Sequence, residues 1–190
     1  KDGIASDMAA IKQLYAKAVS GAEAIWTAAK AGETPNPAEA RGIIDSLSRL
    51  VYQDRTSLLA LTALKRHDNY TFTHMVNVAS LSMAMARSLN LEGPMLREFG
   101  YAALMHDIGK VQTPLEVLNK PDKLTKDEFD QMKQHVVDGA HILRRTPEMP
   151  ALAPPGQMIY LFVQSLAPTI PASFLTFGHT PLYAVYAGFP

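Results

Sequence analysis

A chain of 190 residues that balances 18 basic side chains against 18 acidic ones and contains no cysteine has room for one well-cored domain, burying roughly 70% of the surface its unfolded form would expose. The even charge argues against bulk attraction to a nucleic-acid polymer or an anionic membrane surface. The lack of cysteine excludes disulfides, zinc–thiolate sites and iron–sulfur clusters, and fits a reducing compartment. Lys1 to Ala31 is Ala-rich and charged, without the central apolar block of a secretory signal. The first residue is not Met, which reads as a fragment or a processed piece.

Helix follows helix along the body, with no alternating strand pattern. Ser6 can cap a first helix from about Asp7 to Ala31, with Met8, Ile11, Leu14, Tyr15 and Val19 at roughly helical spacing. Gly32 to Pro37 is a turn, and Asn36-Pro37 offers a cap and first residue for a second helix carrying Ile43, Ile44, Leu47, Leu50 and Val51. A third is expected around Thr56 to Lys65. Tyr70 to Leu89 follows, with His74 in its first turns and Val76, Val78, Leu81, Met83 and Met85 on the buried side. The next helix starts after Asn90 to Pro94, runs through Leu96, Phe99 and Leu104 into His106-Asp107, and is expected to break at Gly109. Val111 to Lys123 reads as loop and a short helical turn. Thr125 to Glu128 has the T-x-x-E form of a capping box, opening a helix that carries Phe129, Met132, His135, Val136, Ile142 and Leu143.

Beyond this body the composition changes. Every Lys, Arg, Asp and Glu lies at or before Glu148, and Met149 to Pro190 has none, so the tail belongs to a different physical class, with a boundary near Ala151 to Gly156. Met158 to Phe177 has about the roughly 20-residue length of a spanning helix. Pro168 and Pro171 interrupt it, which membrane helices tolerate when neighbours satisfy the backbone. Tyr160, Tyr183 and Tyr186 could act as interfacial aromatics. A kinked, buried helix pair in a soluble core is the alternative.

The chemistry concentrates at Met105-His106-Asp107-Ile108-Gly109-Lys110, flanked by His74 and His135. Alone, His74 or His135 reads as a hydrogen-bonded core histidine, and His106-Asp107 as a helix-end pair facing solvent. A buried Asp beside a His is costly unless a cation or a hydrogen-bond network receives the charge. Three helices each bring a candidate ligand toward the bundle interior, with N and O donors and no sulfur, a set that suits Fe, Mn, Zn or Mg. Lys110, three residues beyond the Asp, places a positive charge where a phosphate could sit. His67, His141 and His179 read as surface or loop residues.

Tyr70-Thr71-Phe72-Thr73-His74, His106-Asp107-Ile108-Gly109-Lys110, Leu118-Asn119-Lys120-Pro121-Asp122-Lys123-Leu124-Thr125, and His135 with Gly139 and Ile142-Leu143 together resemble the HD-GYP family, bacterial HD-superfamily phosphodiesterases that hydrolyse cyclic di-GMP. The likeness covers about residues 7–154. It implies an all-α fold, an HD-superfamily helical bundle, with residues 1–66 as an N-terminal helical segment and 67–154 as a partial HD-GYP domain; residues 155–190 stand apart as an uncharged apolar tail that can be read as a membrane-type helix. It also implies His74, His106, Asp107 and His135 as metal ligands, Asp107 bridging two divalent ions, with Fe or Mn expected. Asp107 and Lys110 are then the catalytic pair, with Lys110 on a substrate phosphate. A cyclic dinucleotide is the expected partner, with no nucleic-acid polymer, and the body is expected in the cytoplasm; membrane contact through the tail and a homodimer stay open.

The family's later His-His block and its Asp-Gly-x-Gly-Tyr-Pro block do not appear here, and no acidic residue follows Glu148 to replace them. Hydrolysis by this chain is therefore expected to be impaired. The tail, from Met158-Ile159-Tyr160-Leu161-Phe162 to Val185-Tyr186-Ala187, resembles a membrane segment of the bacterial cytochrome c oxidase assembly factor family. A noncatalytic HD-scaffold signalling or interaction module, and a membrane-anchored fusion, remain as alternatives.

Overall fold

The structure is a computed structural model that describes residues 2–53, 56, 58, 70–147, 176–177 and 180–181. Helix α1 (Asp2–Lys30) buries Ile11, Tyr15, Ala18, Ala22, Ile25, Trp26 and Ala29, a stripe whose steps of three and four residues keep one face on the core. It begins ahead of the expected Ser6 cap, because Ile4 and Ala5 carry no helix-stopping chemistry and Ser6 falls inside the helix. Its end is a Schellman motif: Gly32 takes φ +77°, Glu33 N–H donates to Ala28 O and Gly32 N–H to Ala29 O.

Helix α2 (Pro37–Gln53) opens as expected, with Asn36 Oδ1 accepting from Ala38 N–H at 2.9 Å and proline at the first helical position. Ile43, Ile44, Leu47, Leu50 and Val51 are all buried. The third expected helix lies outside the described residues except for Thr56 and Leu58, both helical, the latter buried. His67 also lies outside them.

Helix α3 (Tyr70–Ser88) buries Met75, Val76, Ala79, Ser80, Met83 and Ala86. Leu81, expected inside, is 43% exposed: the true buried stripe runs through Val76, Ala79, Ser80 and Met83, and Leu81 lies off it. A second Schellman closure follows, this time on Asn90 at φ 62°, with Leu91 N–H donating to Ala86 O. The connection into α4 (Gly93–Met105) is short, so α3 and α4 pack as a helical hairpin, with α1 and α2 closing the core around Ile44, Leu47, Met83, Leu96 and Leu104.

After α4 the chain makes a 3₁₀ turn (Ile108–Gln112), then α5 (Leu115–Leu118), α6 (Lys126–Lys133) and α7 (His135–Arg145). Two expectations change here. Helix α4 stops at Met105, not at Gly109, because Asp107 leaves helical geometry at φ −107°, ψ 7°. The single helix expected from Thr125 is two. Gln134 N–H reaches back to Gln131 O and Met132 O, a tightened turn, and a new helix starts at His135.

The capping box is present, Thr125 Oγ1 accepting from Glu128 N–H and the Glu128 carboxylate from Thr125 N–H. The tail falls mostly outside the described residues. Where it is described it is not helical: β1 (Thr176–Phe177) pairs antiparallel with β2 (Thr180–Pro181), Phe177 opposite Thr180. Thr and Phe suit extended backbone, and Pro181, lacking an N–H, sits at a strand end. His179 lies outside the described residues.

Candidate metal centre

Three elements converge on one carboxylate. His106 is the residue that ends α4, and Asp107 follows it at the turn into the 3₁₀ segment. His74 comes from the first turns of α3, and His135 is the first residue of α7. Asp107 Oδ2 lies 3.0 Å from His106 Nε2 and 3.6 Å from His74 Nε2. Its other oxygen, Oδ1, lies 3.5 Å from His135 Nε2. The sequence thus nominated the four residues that the fold brings together.

The ring orientations have a cause that the sequence did not display. His106 Nδ1 is 2.7 Å from Ala103 O, and His135 Nδ1 bonds Met132 O, in each case the carbonyl three residues earlier. A carbonyl only accepts, so each Nδ1 carries the proton and donates it, which leaves Nε2 as the nitrogen aimed at Asp107. Such acceptors depend on where a turn points a backbone oxygen, and no residue type announces them.

Burial decides the electrostatics. Asp107 and His135 are buried, and His106 nearly so, while the His74 side chain is 36% exposed and forms the open side. Burial alone would push the Asp107 carboxyl up, but the charge and hydrogen bond of His106, the hydrogen bond of His74 and the charge of Lys110 outweigh it and hold the group well below the ordinary carboxylate range. Burial lowers His106, and the charge and hydrogen bond of Asp107 reverse that into a net rise. At His135 burial prevails over its bond to Met132 O and the pull of Asp107, and the imidazole titrates lower than usual.

His74, His106 and Asp107 offer ligand atoms that all lie within 4.8 Å of one another. Two ligands about 2.1 Å from one cation at roughly right angles stand about 3 Å apart, close to the spacing seen between the His106 nitrogen and the Asp107 oxygen. The donor set of imidazole and carboxylate fits a divalent ion of the Fe, Mn or Zn type. Lys110, expected on a substrate phosphate, lies instead with Nζ 2.6 Å from Asp107 Oδ2. His141 is exposed on α7, as expected.

A further pair has no signal in the sequence pattern. Lys120 Nζ donates to both carboxylate oxygens of Glu128, at 2.8 and 2.6 Å, and ties the loop after α5 to the first turn of α6.

Comparison with known proteins supplies the family. The chain is 38% identical over 139 residues to a cyclic di-GMP phosphodiesterase of Pseudomonas aeruginosa, covering 73% of this chain and 34% of that protein. It is 39% identical over 79 residues to a cyclic di-GMP phosphodiesterase of Thermotoga maritima, 42% of this chain and 22% of the relative. It is 33% identical over 88 residues to the 3'3'-cGAMP-specific phosphodiesterase 1 of Vibrio cholerae, 46% of this chain and 20% of the relative. The chain therefore spans about a third or less of these relatives' lengths. No solved structure matches. Residues 71–166, half of the sequence and the half that holds the converging His and Asp side chains, match the HD domain, and the chain belongs to that family.

Proposed function

We propose that this chain carries the metal-binding core of an HD-GYP-type phosphodiesterase acting on a cyclic dinucleotide, with His74, His106, Asp107 and His135 as ligands and Lys110 serving the substrate phosphate. The observation that carries this reading is the convergence of three imidazole Nε2 atoms, from three elements, on one buried carboxylate. The relatives named for cyclic di-GMP and cGAMP hydrolysis support the substrate class.

A divalent cation bound there would supply Lewis acidity toward a phosphoryl oxygen and a nucleophilic water at neutral pH. The residues do the rest. His106 and His135 keep their protons on Nδ1, against the Ala103 and Met132 carbonyls, so that Nε2 stays available. Asp107 presents its two oxygens in different directions, Oδ2 toward His74 and His106, Oδ1 toward His135, a disposition suited to bridging. With other positive charge on the carboxylate, Lys110, whose Nζ lies on Oδ2, would be the cation available to a phosphate oxygen. His74 marks the side open to substrate.

Four ligand residues fall short of two full coordination shells, and the sequence offers no acidic residue after Glu148. This chain therefore holds one cation, Fe or Mn, more tightly than a second and hydrolyses slowly. Metal analysis with cyclic di-GMP turnover on purified protein tests this: one tight cation and slow turnover are expected. Two tight cations with rapid release of linear dinucleotide would sink the incomplete-site reading.

A noncatalytic HD-scaffold module is the second reading, favoured by the Lys110–Asp107 pair, which already neutralises the carboxylate from within the protein. Failure to retain any cation, with unchanged biological output after His106→Ala and Asp107→Ala, would establish it. Membrane contact is proposed for residues 149–190 on their lack of charge; no helix among the described residues is long and apolar enough to cross a membrane. Fractionation of the chain with and without these residues decides the point.

A further inference from the structure

Gly109 does not have a positive φ, so its lack of a side chain is not explained by backbone conformation. Space explains it. A Cβ built on Gly109 would lie 1.8 Å from His135 O, 2.4 Å from Gly139 N and 2.8 Å from His135 C. All three neighbours are backbone atoms of the first turns of α7, so no side-chain rotation can relieve the contact. Gly139, one turn on from His135, returns the approach: a Cβ there would lie 3.3 Å from Gly109 N and 3.5 Å from Ile108 Cγ2.

The contact sits beside the candidate ligands at both ends. Asp107 is two residues before Gly109, and His135 supplies the very carbonyl that Gly109 touches. With such short levers, any separation of the 3₁₀ turn from α7 is passed directly to the 3.5 Å between His135 Nε2 and Asp107 Oδ1. Restoring an ordinary contact at an alanine in position 109 requires α7 to withdraw by roughly 1.5 Å. Metal sites tolerate ligand displacements of only about 0.2 Å.

We infer that Gly109 and Gly139 are positioning residues for the metal centre: their backbone-to-backbone seat sets the distance from His135 to Asp107. This rests on the reading of His135 as a ligand, and one experiment separates the two. Mn²⁺ affinity of the purified chain is measured for the parent, Gly109→Ala, Gly139→Ala, His135→Ala and the Gly109→Ala/His135→Ala double variant, with thermal unfolding in chelator as the control for folding.

Gly109→Ala is expected to lose about 10–100-fold in affinity, the range seen when the support of a ligand is removed. His135→Ala should lose a similar amount, and the double variant little more than His135→Ala, because glycine acts through the histidine. Gly139→Ala, whose neighbours need give only a few tenths of an ångström, should stay folded and lose a few-fold, so the inference remains testable if Gly109→Ala does not fold. Parental affinity in folded Gly109→Ala or Gly139→Ala, or losses that multiply in the double variant, would overturn it. Parental affinity in His135→Ala would instead overturn the ligand assignment on which it stands.

Discussion

Asp107 is the residue on which the site turns, and its surroundings contain a competition. Lys110 Nζ holds Oδ2 at 2.6 Å, so a divalent cation bound at the proposed site would compete with it for that oxygen, and two cations a few ångströms apart repel by an amount on the order of 1 kcal/mol even when well screened. Lys110→Met keeps the stem and removes the charge. In chelator this variant should unfold about 1–3 kcal/mol more easily, since a buried carboxylate loses one of its donors. Its Mn²⁺ affinity should rise, by roughly 5–10-fold, while any cyclic di-GMP turnover should fall if Lys110 serves the substrate phosphate as proposed. Calorimetric titration alongside a turnover assay reads both, and a variant that matches the parent in affinity and in chelated stability would show that the pair carries no weight in solution. Asp107→Asn, nearly isosteric, should abolish tight Mn²⁺ binding, because the neutral amide cannot act as an anionic bridge.

Helix α6 is strongly polar, buries only Met132, and is closed at its N-terminus by a capping box. Thr125, Glu128 and Lys120 form one network there: the capping box satisfies two backbone donors, and Lys120 fixes the Glu128 carboxylate from the preceding loop. The Lys120 hydrogen bond, then the Thr125 backbone bond, lower the Glu128 pKa. A lowered carboxylate contributes stability that is present above the ordinary glutamate value of about 4.3 and disappears as pH falls through the lower folded value. Glu128→Gln keeps a neutral capping partner and loses the charge, so its melting temperature should lie below the parent's near neutrality, with the gap closing as pH falls through the lowered folded value. A gap that persists in acid would assign the effect to shape. Thr125→Ala should cost about 1 kcal/mol at any pH.

These elements also show what the sequence could disclose. Asn36-Pro37 and Thr125–Glu128 are legible because caps are local chemistry; His106-Asp107 is legible because an Asp beside a His at an apolar helix end needs a partner for its charge, whereas His74 and His135, which alone read as core histidines, stand out through the resemblance to the HD-GYP motifs. The break at Gln134 was not legible, since Gln is an ordinary helix former and the break lies in two backbone hydrogen bonds and the turn of the Met132 carbonyl. Leu81 falls off the buried stripe because several apolar residues on α3 fit more than one stripe, and packing against α1 and α4 selects among them. The Gly109 contact needed two segments thirty residues apart to be placed together.

At the scale of the molecule, the proposed ligands would join what the core leaves separate. Among the described residues, His74 and His106 stand on or at the end of the core helices α3 and α4 and Asp107 follows at the turn, whereas His135 arrives on α7, whose main packing is against the 3₁₀ turn. A cation held by all four would fasten α7 and its turn to the core, and the unfolded chain, with these residues spread along the sequence, has no equivalent site. Binding free energy then becomes folding free energy. At Mn²⁺ about 100 times its dissociation constant the gain is about 2.7 kcal/mol, worth roughly 5–10 °C in melting temperature for a protein of this size. The rise should grow with the logarithm of Mn²⁺ concentration, vanish in Asp107→Asn, and shrink in His135→Ala to what the remaining ligands on the core can hold. Scanning calorimetry across a Mn²⁺ series reads all three, and hydrogen exchange locates the effect: protection should increase in α7 more than in α1 and α2, whose amides the core already guards. A melting temperature indifferent to excess Mn²⁺ would mean that the four side chains form a self-contained ion-pair network, with Lys110 in the cation's place.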